Sequence, residues 1–223
     1  MSILYVVGTP IGNLADITGR ALETLKNVDL IACEDTRTSS VLLNRYSIKK
    51  PLISYHQHSH LQKIDYLVNE LSQCKDIALI TDAGTPSISD PGGMLVEAIH
   101  RHNAKINGPL LDREDREKKL ATQQNVFGPP PIKIVAIPGP SSLITALSVS
   151  GFKADNFLFL GFLPKKKGRQ SLLIAISELD KRLATTTIVF FESAIRISRT
   201  LEDIKKFSEK SENPSKLGKI EVC

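Results

Sequence analysis

Four short stretches of this chain gather glycine, proline, hydroxyl and carboxylate residues in the manner of ligand-binding loops. They are Gly8-Thr9-Pro10-Ile11-Gly12-Asn13, Glu34-Asp35-Thr36-Arg37, Thr81-Asp82-Ala83-Gly84-Thr85-Pro86 leading into Asp90-Pro91-Gly92-Gly93, and Pro138-Gly139-Pro140-Ser141-Ser142. A glycine without a Cβ lets backbone approach a ligand, proline fixes the path of a loop, and carboxylates can hold or move a proton. Any one of these stretches alone is a turn with a helix cap, and Asp35, Asp90 and Ser141 all suit N-caps. Four together favour a small-molecule site. The sequence contains no G-x-G, no G-x-x-x-x-G-K-[ST] and no H-E-x-x-H, so dinucleotide, nucleotide-phosphate and zinc-protease motifs are excluded. His56, His58 and His60 alternate, and side chains two apart in an extended chain share a face. No cysteine or carboxylate partner completes a metal set there, so no metal is assigned.

The elements that must position these loops alternate between strand and helix patterns. Ile3–Val7, Val28–Cys33, Leu52–Tyr55, Ile77–Thr81 and Lys133–Ile137 read as strands, and the four loops follow the first, second, fourth and fifth. Asp16–Lys26, Thr36–Tyr46 and His60–Ser72 carry apolar residues at helical spacing. The pattern predicts a parallel sheet of about five strands, with the loops lining one crevice outside the carboxyl ends of the strands. Asn103–Pro131 interrupts it with a charge run and Gly128-Pro129-Pro130-Pro131, which predicts a surface insertion. We divide the chain into an N-terminal α/β domain, 1–150, with that insertion at about 103–131, and a smaller C-terminal α/β domain, 151–223. In the latter, Phe157–Phe162 and Thr187–Phe191 read as strands, Ser171–Leu183 and Ile195–Phe207 as helices, and Ile220–Cys223 as the start of a further strand.

Composition is that of a globular chain, with 41% hydrophobic and 24% charged residues. No apolar run approaches the ~20 residues of a membrane span, and the N-terminus lacks the features of a signal peptide. Three scattered cysteines point to a reducing cytoplasm. The net charge of +5 is unevenly placed. Residues 1–150 hold 15 basic and 15 acidic side chains, and residues 151–223 hold 14 and 9. A polyanionic partner met by the second lobe would account for the excess.

The four loops, with Leu14-Ala15-Asp16-Ile17-Thr18, Gly161-Phe162-Leu163-Pro164 and Phe191-Glu192-Ser193 followed by Arg196, stand in the order found in the tetrapyrrole methylase superfamily. Within it the chain resembles the bacterial 16S ribosomal RNA 2′-O-ribose cytidine methyltransferases, over nearly all its length outside the insertion. The resemblance implies a two-lobed α/β methyltransferase, commonly a homodimer, that binds S-adenosyl-L-methionine in the cleft between lobes and methylates a cytidine ribose in the decoding region of small-subunit RNA. It implies Pro10 near the cofactor, Asp82, Ala83 and Gly84 on its polar groups, and Ser141 and Ser142 near its adenosine or carboxylate end. Members of the family continue with further strands of the second domain, which is shorter here. The histidine stretch resembles a family His-x-His-Asn-Glu, matched by His56 and His58 but not by Ser59 or His60, and it implies a lining of the substrate cleft.

Methyl transfer to a ribose hydroxyl needs the acceptor held in line and its proton removed. Glu34, Asp35, Asp90 and Glu192 are the candidate bases. Arg37 and Arg196 are expected to hold phosphate or orient those carboxylates. Lys165-Lys166-Lys167-Gly168-Arg169 is expected to form a turn whose cations meet RNA phosphates. Two alternatives stay open: a methylase of a tetrapyrrole or other small molecule, and a non-catalytic RNA-binding relative.

Overall fold

The computed structural model describes residues 1–56, 61–107, 130–165, 168–177 and 186–210. Their packing forms two compact units, Met1–Ser141 and Ser142–Cys223.

The first unit contains strands β1 (Ile3–Val7), β2 (Leu30–Cys33), β3 (Leu52–Ser54), β4 (Ile77–Ile80) and β5 (Lys133–Ile137). They form one sheet in the order β3-β2-β4-β1-β5, and every neighbouring pair is parallel. Its helices are α1 (Gly19–Asn27), α2 (Thr36–Arg45), α3 (Leu61–Ser72) and α4 (Gly93–Asn107). The two-residue period of β4 shows how the layers assemble. Ala78 and Ile80 pack with Ala21 and Leu25 of α1 and Leu42 and Leu43 of α2. Ile77 and Leu79 pack with Ile64, Leu67 and Leu71 of α3 and Leu95 and Ile99 of α4. A parallel sheet needs both faces covered, and here two helices cover each.

Local chemistry sets the helix starts. The Thr18 hydroxyl accepts the Ala21 N–H at 3.1 Å and begins α1, so the helix expected from Asp16 starts at Gly19 instead. Before it, Asn13 caps a single 3-10 turn, Leu14–Asp16. The described structure also departs from the expected insertion. Residues 103–107 belong to α4, and the Asn103 amide clasps the backbone of Ile132, donating to its carbonyl at 2.8 Å and accepting its N–H at 2.9 Å. Ile132 is itself 2% exposed, and residues 108–129 lie outside the described set.

The strand order places the loops. From β1 the chain passes through α1 on one face to β2; from β4 it passes through α4 on the opposite face to β5. Because β1 and β4 are neighbours, their following loops diverge to opposite faces. This is a topological switch point, where open α/β sheets leave a crevice for ligands.

The second unit holds β6 (Phe157–Phe162) parallel to β7 (Thr187–Phe191), with α5 (Ser142–Val149), α6 (Arg169–Ser177) and α7 (Ile197–Lys210). The pairing shifts register between Phe159 and Phe162, where Gly161 has φ +63°. Phe191 packs edge-on against Phe159 with ring centroids 4.9 Å apart, and at 5.4 Å from Phe162. The helix expected over Ser171–Leu183 is described as far as Ser177, and the strand expected at Ile220–Cys223 lies outside the described residues. Among the described residues no helix is long and apolar enough to cross a membrane.

Candidate functional site

Three of the four loops are tied together at the switch point. Thr9 and Gly84 form an isolated antiparallel bridge, with Thr9 N–H to Gly84 O at 2.9 Å and Gly84 N–H to Thr9 O at 3.1 Å. Gly84 sits at φ +86°, a conformation that favours glycine. The buried Thr9 hydroxyl is 3.1 Å from the Thr81 carbonyl oxygen. On the other side, the loop after β1 meets the loop after β5 backbone to backbone. A methyl group on Gly8 would lie 2.8 Å from Gly139 Cα, and one on Gly139 would lie 2.9 Å from Gly8 O. The Thr85 hydroxyl reaches the Pro140 carbonyl at 3.4 Å. Pro10, Asp82, Ala83, Gly84 and Ser141 are therefore brought to one end of one sheet. Ser142 begins α5, in the second unit.

Carboxylates surround this crevice. Asp35 caps α2 by accepting the Arg37 N–H at 2.8 Å, and the Arg37 guanidinium grips it through Nε and Nη2, the latter at 2.6 Å. Those hydrogen bonds, first from the guanidinium and then from the backbone, hold the Asp35 carboxyl down at about 2. Arg37 is otherwise bathed in solvent, its side chain 89% exposed. The Asp35 N–H donates to Asp82 Oδ1 at 3.2 Å, and the Thr81 hydroxyl is 3.3 Å from Asp90 Oδ2. Burial raises Glu34, and the negative charges of Asp82, Asp90 and Asp35 add to the rise against an opposing backbone hydrogen bond from Asp82. Burial also raises Asp82 and Asp90, with Asp35 adding to the first and Asp82 to the second. Asp35 apart, the carboxylates of this acidic bowl take up protons more readily than free carboxylates do.

One consequence is measurable without any ligand. A raised folded-state pKa means that the ionised Glu34 opposes folding above its folded pKa and is neutral in both states at low pH. Glu34→Gln is therefore expected to raise the melting temperature at pH 7 by about 1–4 °C, with the gain closing as pH falls below the carboxylate range. Thermal melts across pH check this, and a gain that is unchanged in acid would contradict it.

Beside the bowl, on the α1–α2 face of the sheet, lies a cleft of about 250 Å³ lined by Thr9, Pro10, Leu14, Thr38, Ser39, Val41, Leu42, Ile80, Thr81 and Asp82. Thr38, Ser39 and Val41 on α2 were missed by reasoning from sequence. Their one signal was the run Thr36-Arg37-Thr38-Ser39-Ser40, a concentration of hydroxyls unusual for the first turns of a helix.

In the second unit, Glu192 is an ionic hub. Its side chain is 1% exposed and accepts the Ser193 N–H at 2.8 Å, the Thr200 hydroxyl at 2.7 Å and Arg196 Nη2 at 2.5 Å, with Arg169 Nη2 at 3.7 Å. Burial pushes this carboxyl upward, but the Thr200 and Ser193 hydrogen bonds and the two guanidinium charges outweigh it and hold the group below its ordinary value. A carboxylate so filled with donors is poorly suited to take a substrate proton, which sets Glu192 apart from the other three candidate bases. Arg196 pairs with that carboxylate. Arg169 departs from expectation outright. It is 5% exposed, pairs with Asp203 at 2.7 Å and donates from Nε to the Pro164 carbonyl at 3.0 Å, so its charge is spent inside the unit and is not offered to RNA. Lys165 is exposed, whereas Lys166 and Lys167 lie outside the described residues, as do His58 and His60. His56 is exposed at the end of β3, and among the described residues no group of three or more His, Cys, Asp or Glu could hold a metal ion.

The sequence pattern of the Tetrapyrrole (Corrin/Porphyrin) Methylases matches residues 3–107, the part that builds this switch point up to the end of α4. A crystal structure of diphthine synthase superposes with a TM-score of 0.57 at 14% identity, covering 94% of this chain and 73% of that one. The fold is that of the tetrapyrrole methylases.

Relatives narrow the class. The chain is 47% identical over 204 residues to ribosomal RNA small subunit methyltransferase I of Haemophilus influenzae, 42% over 204 residues to that of Thermotoga maritima, and 44% over 202 residues to that of Escherichia coli O157:H7. These matches take in 91%, 92% and 90% of this chain. The chain belongs to the ribosomal RNA small subunit methyltransferase I family. It spans 60% of the Haemophilus relative, 77% of the Thermotoga relative and 59% of the Escherichia relative.

Proposed function

We propose that this chain is an S-adenosyl-L-methionine-dependent ribosomal RNA methyltransferase, acting on the ribose 2′-oxygen of a cytidine in the decoding region of 16S RNA. The observation that carries the reading is the 42% identity extending over 77% of a relative named for small-subunit ribosomal RNA methylation. The switch-point geometry supports it. Gly8 and Gly139 let the loops after β1 and β5 meet backbone to backbone, Gly84 turns the loop after β4 toward them, and the surrounding carboxylates suit a donor with ammonium and sulfonium charges. Pro10, Asp82, Ala83, Gly84, Ser141 and Ser142 would hold that cofactor, which supplies an activated methyl group when bound.

The remaining work falls to this chain's own residues. Positioning the ribose hydroxyl can contribute about 7–11 kcal/mol of barrier reduction. Of the candidate bases, Glu34 and Asp90 suit proton removal best, because both are half-buried with raised pKa values, while Asp35 is held ionised against Arg37. Arg37 and Lys165 are exposed cations able to meet RNA phosphates, a role also proposed for Lys166 and Lys167. The substrate would be 16S RNA or the small ribosomal subunit, the working state a homodimer, and the compartment the cytoplasm.

The test is to incubate the chain with small subunits lacking the modification and labelled S-adenosyl-L-methionine, then map 2′-O-methylation along the RNA. Label at one cytidine ribose is expected. Label confined to bases, or transfer to a porphyrin precursor instead, would overturn the reading.

A further inference from the structure

We propose that Thr81 is a positioning residue for proton removal: its hydroxyl holds Asp90, rather than Glu34, ready to take the proton of the ribose 2′-hydroxyl. This rests on the reading of the chain as an RNA ribose methyltransferase, and it chooses between the two bases that reading leaves open.

Thr81 is anchored everywhere except at its hydroxyl proton. It follows β4 directly, is 3% exposed, and its carbonyl accepts the Thr9 hydroxyl at 3.1 Å, which ties it to the loop after β1. Its hydroxyl accepts the Ala83 N–H at 3.3 Å and has two acceptors for its one proton, Asp90 Oδ2 and the Ala83 carbonyl, each at 3.3 Å. An ionised carboxylate is the stronger acceptor, so the hydroxyl points at Asp90 while that group is charged. Once the carboxyl has gained a proton, the Ala83 carbonyl can receive the hydroxyl instead. Hydrogen bonds of catalytic groups commonly shorten when substrate binds, so 3.3 Å is a serviceable starting distance. Glu34 is held differently, by the backbone N–H of Asp82, which cannot swing away when the charge is lost.

The loop between the two residues calls for such an anchor. Ser87 and Ser89 both sit in the left-handed region, at φ +72° and +62°. The Ser87 N–H reaches the Pro91 carbonyl at 3.3 Å, and a Cβ on Gly92 would strike the Ser87 hydroxyl, so the chain doubles back tightly. Backbone of this kind persists where surrounding contacts enforce it. The Thr81 hydroxyl is a side-chain contact that returns the far end of the loop to β4.

The charged groups that bear on Asp90 are Asp82 on its own loop and Glu34 on the loop after β2, with Asp35 and Arg37 paired to each other beyond them. Residues 8–13 and 138–142, from the loops after β1 and β5, bring no titratable side chain. Burial raises the Asp90 carboxyl most, the Thr81 hydrogen bond opposes it, and the charge of Asp82 adds to the rise. Removing the hydroxyl therefore moves the group further up and leaves less of it ionised to accept a proton.

Two measurements on the full chain test this, with each variant first shown to melt cooperatively. Carbon-detected NMR titration of the Asp90 carboxyl needs no ligand. Thr81→Val should raise its midpoint by about one pH unit, the equivalent of one hydrogen bond to a charged group, and Thr81→Ser should restore it. If Thr81→Val does not fold, Thr81→Ala removes the same hydroxyl. In the second measurement, methyl transfer to small subunits is followed across pH. The acid limb of kcat should move up by the same amount in Thr81→Val, with a loss of about tenfold below the limb. KM for S-adenosyl-L-methionine should change less than threefold, Thr81→Ser should recover the wild-type profile, and Thr81→Val should cost nothing further in Asp90→Asn. An unmoved midpoint or limb, full activity in Asp90→Asn, or losses that add in the double variant overturn the positioning role and leave the proposed function. A wild type that methylates no RNA removes the proposed function and this proposal with it, whatever the titration shows.

Discussion

Gly8→Ala is expected to destabilise the first unit by about 2–3 kcal/mol and to abolish binding of any ligand that rests on the loops after β1 and β5. The added methyl would stand 2.8 Å from Gly139 Cα and 2.9 Å from Gly139 N, both backbone atoms that no rotamer change can move. Relief requires the two loops to part, and that would loosen the Gly8 N–H bond to Ile137 O and open the crevice. Gly19→Ala is the internal comparison. It lies at the start of α1 with nothing within 4 Å of an added Cβ and no unusual φ, so its effect should stay within about 1 kcal/mol of zero or stabilise. Urea denaturation of both variants checks the contrast, and equal midpoints would refute the close-approach argument.

The second large effect belongs to Glu192. Glu192→Ala is expected to cost the second unit about 3–5 kcal/mol, because it strands Arg196 and part of Arg169 without their shared anion. Glu192→Gln should cost less, since an amide oxygen can still accept the Thr200 hydroxyl or the Ser193 N–H. The pH dependence has a definite sign. Because the folded structure holds this carboxyl below its ordinary value, its contribution is present above the ordinary glutamate range and is lost as pH falls through the lowered folded value. Melting curves from neutral pH into acid should therefore fall more steeply for the wild type than for Glu192→Gln. Parallel curves would show that Glu192 is not the hub described.

Much of the first unit was legible in the sequence because its strands are short apolar runs ending in glycine, proline or acid. Ile77–Ile80, with both faces buried, is such a run, and its following loop begins where the pattern stops. The strand order was not legible, since adjacency of β1 and β4 depends on helices crossing opposite faces. Helix α4 was missed because it opens on Gly92-Gly93 and carries His100, His102 and Asn103 among only a few buried anchors such as Leu95 and Ile99. Arg169 was misjudged for a different reason. A Lys-Lys-Lys-Gly-Arg run reads locally as a solvated basic turn, and the partners that bury its last member, Glu192 and Asp203, lie on β7's exit and on α7. Long-range ion pairing leaves no mark in local composition. The hydroxyls of Thr38 and Ser39 were overlooked because nothing in sequence says which face of α2 meets the loop after β1.

The Asn103 clasp on Ile132 has a bearing on how this lineage can vary. By joining α4 to the residue before β5 through two amide hydrogen bonds, it holds the two ends of the intervening segment side by side. The entropy of closing such a loop grows only logarithmically, by about 0.6 kcal/mol for each doubling of its length. Segments of quite different size can thus be exchanged between 108 and 129 while the strain stops at the clasp. For an engineer this is a port for grafting a tag or a binding module.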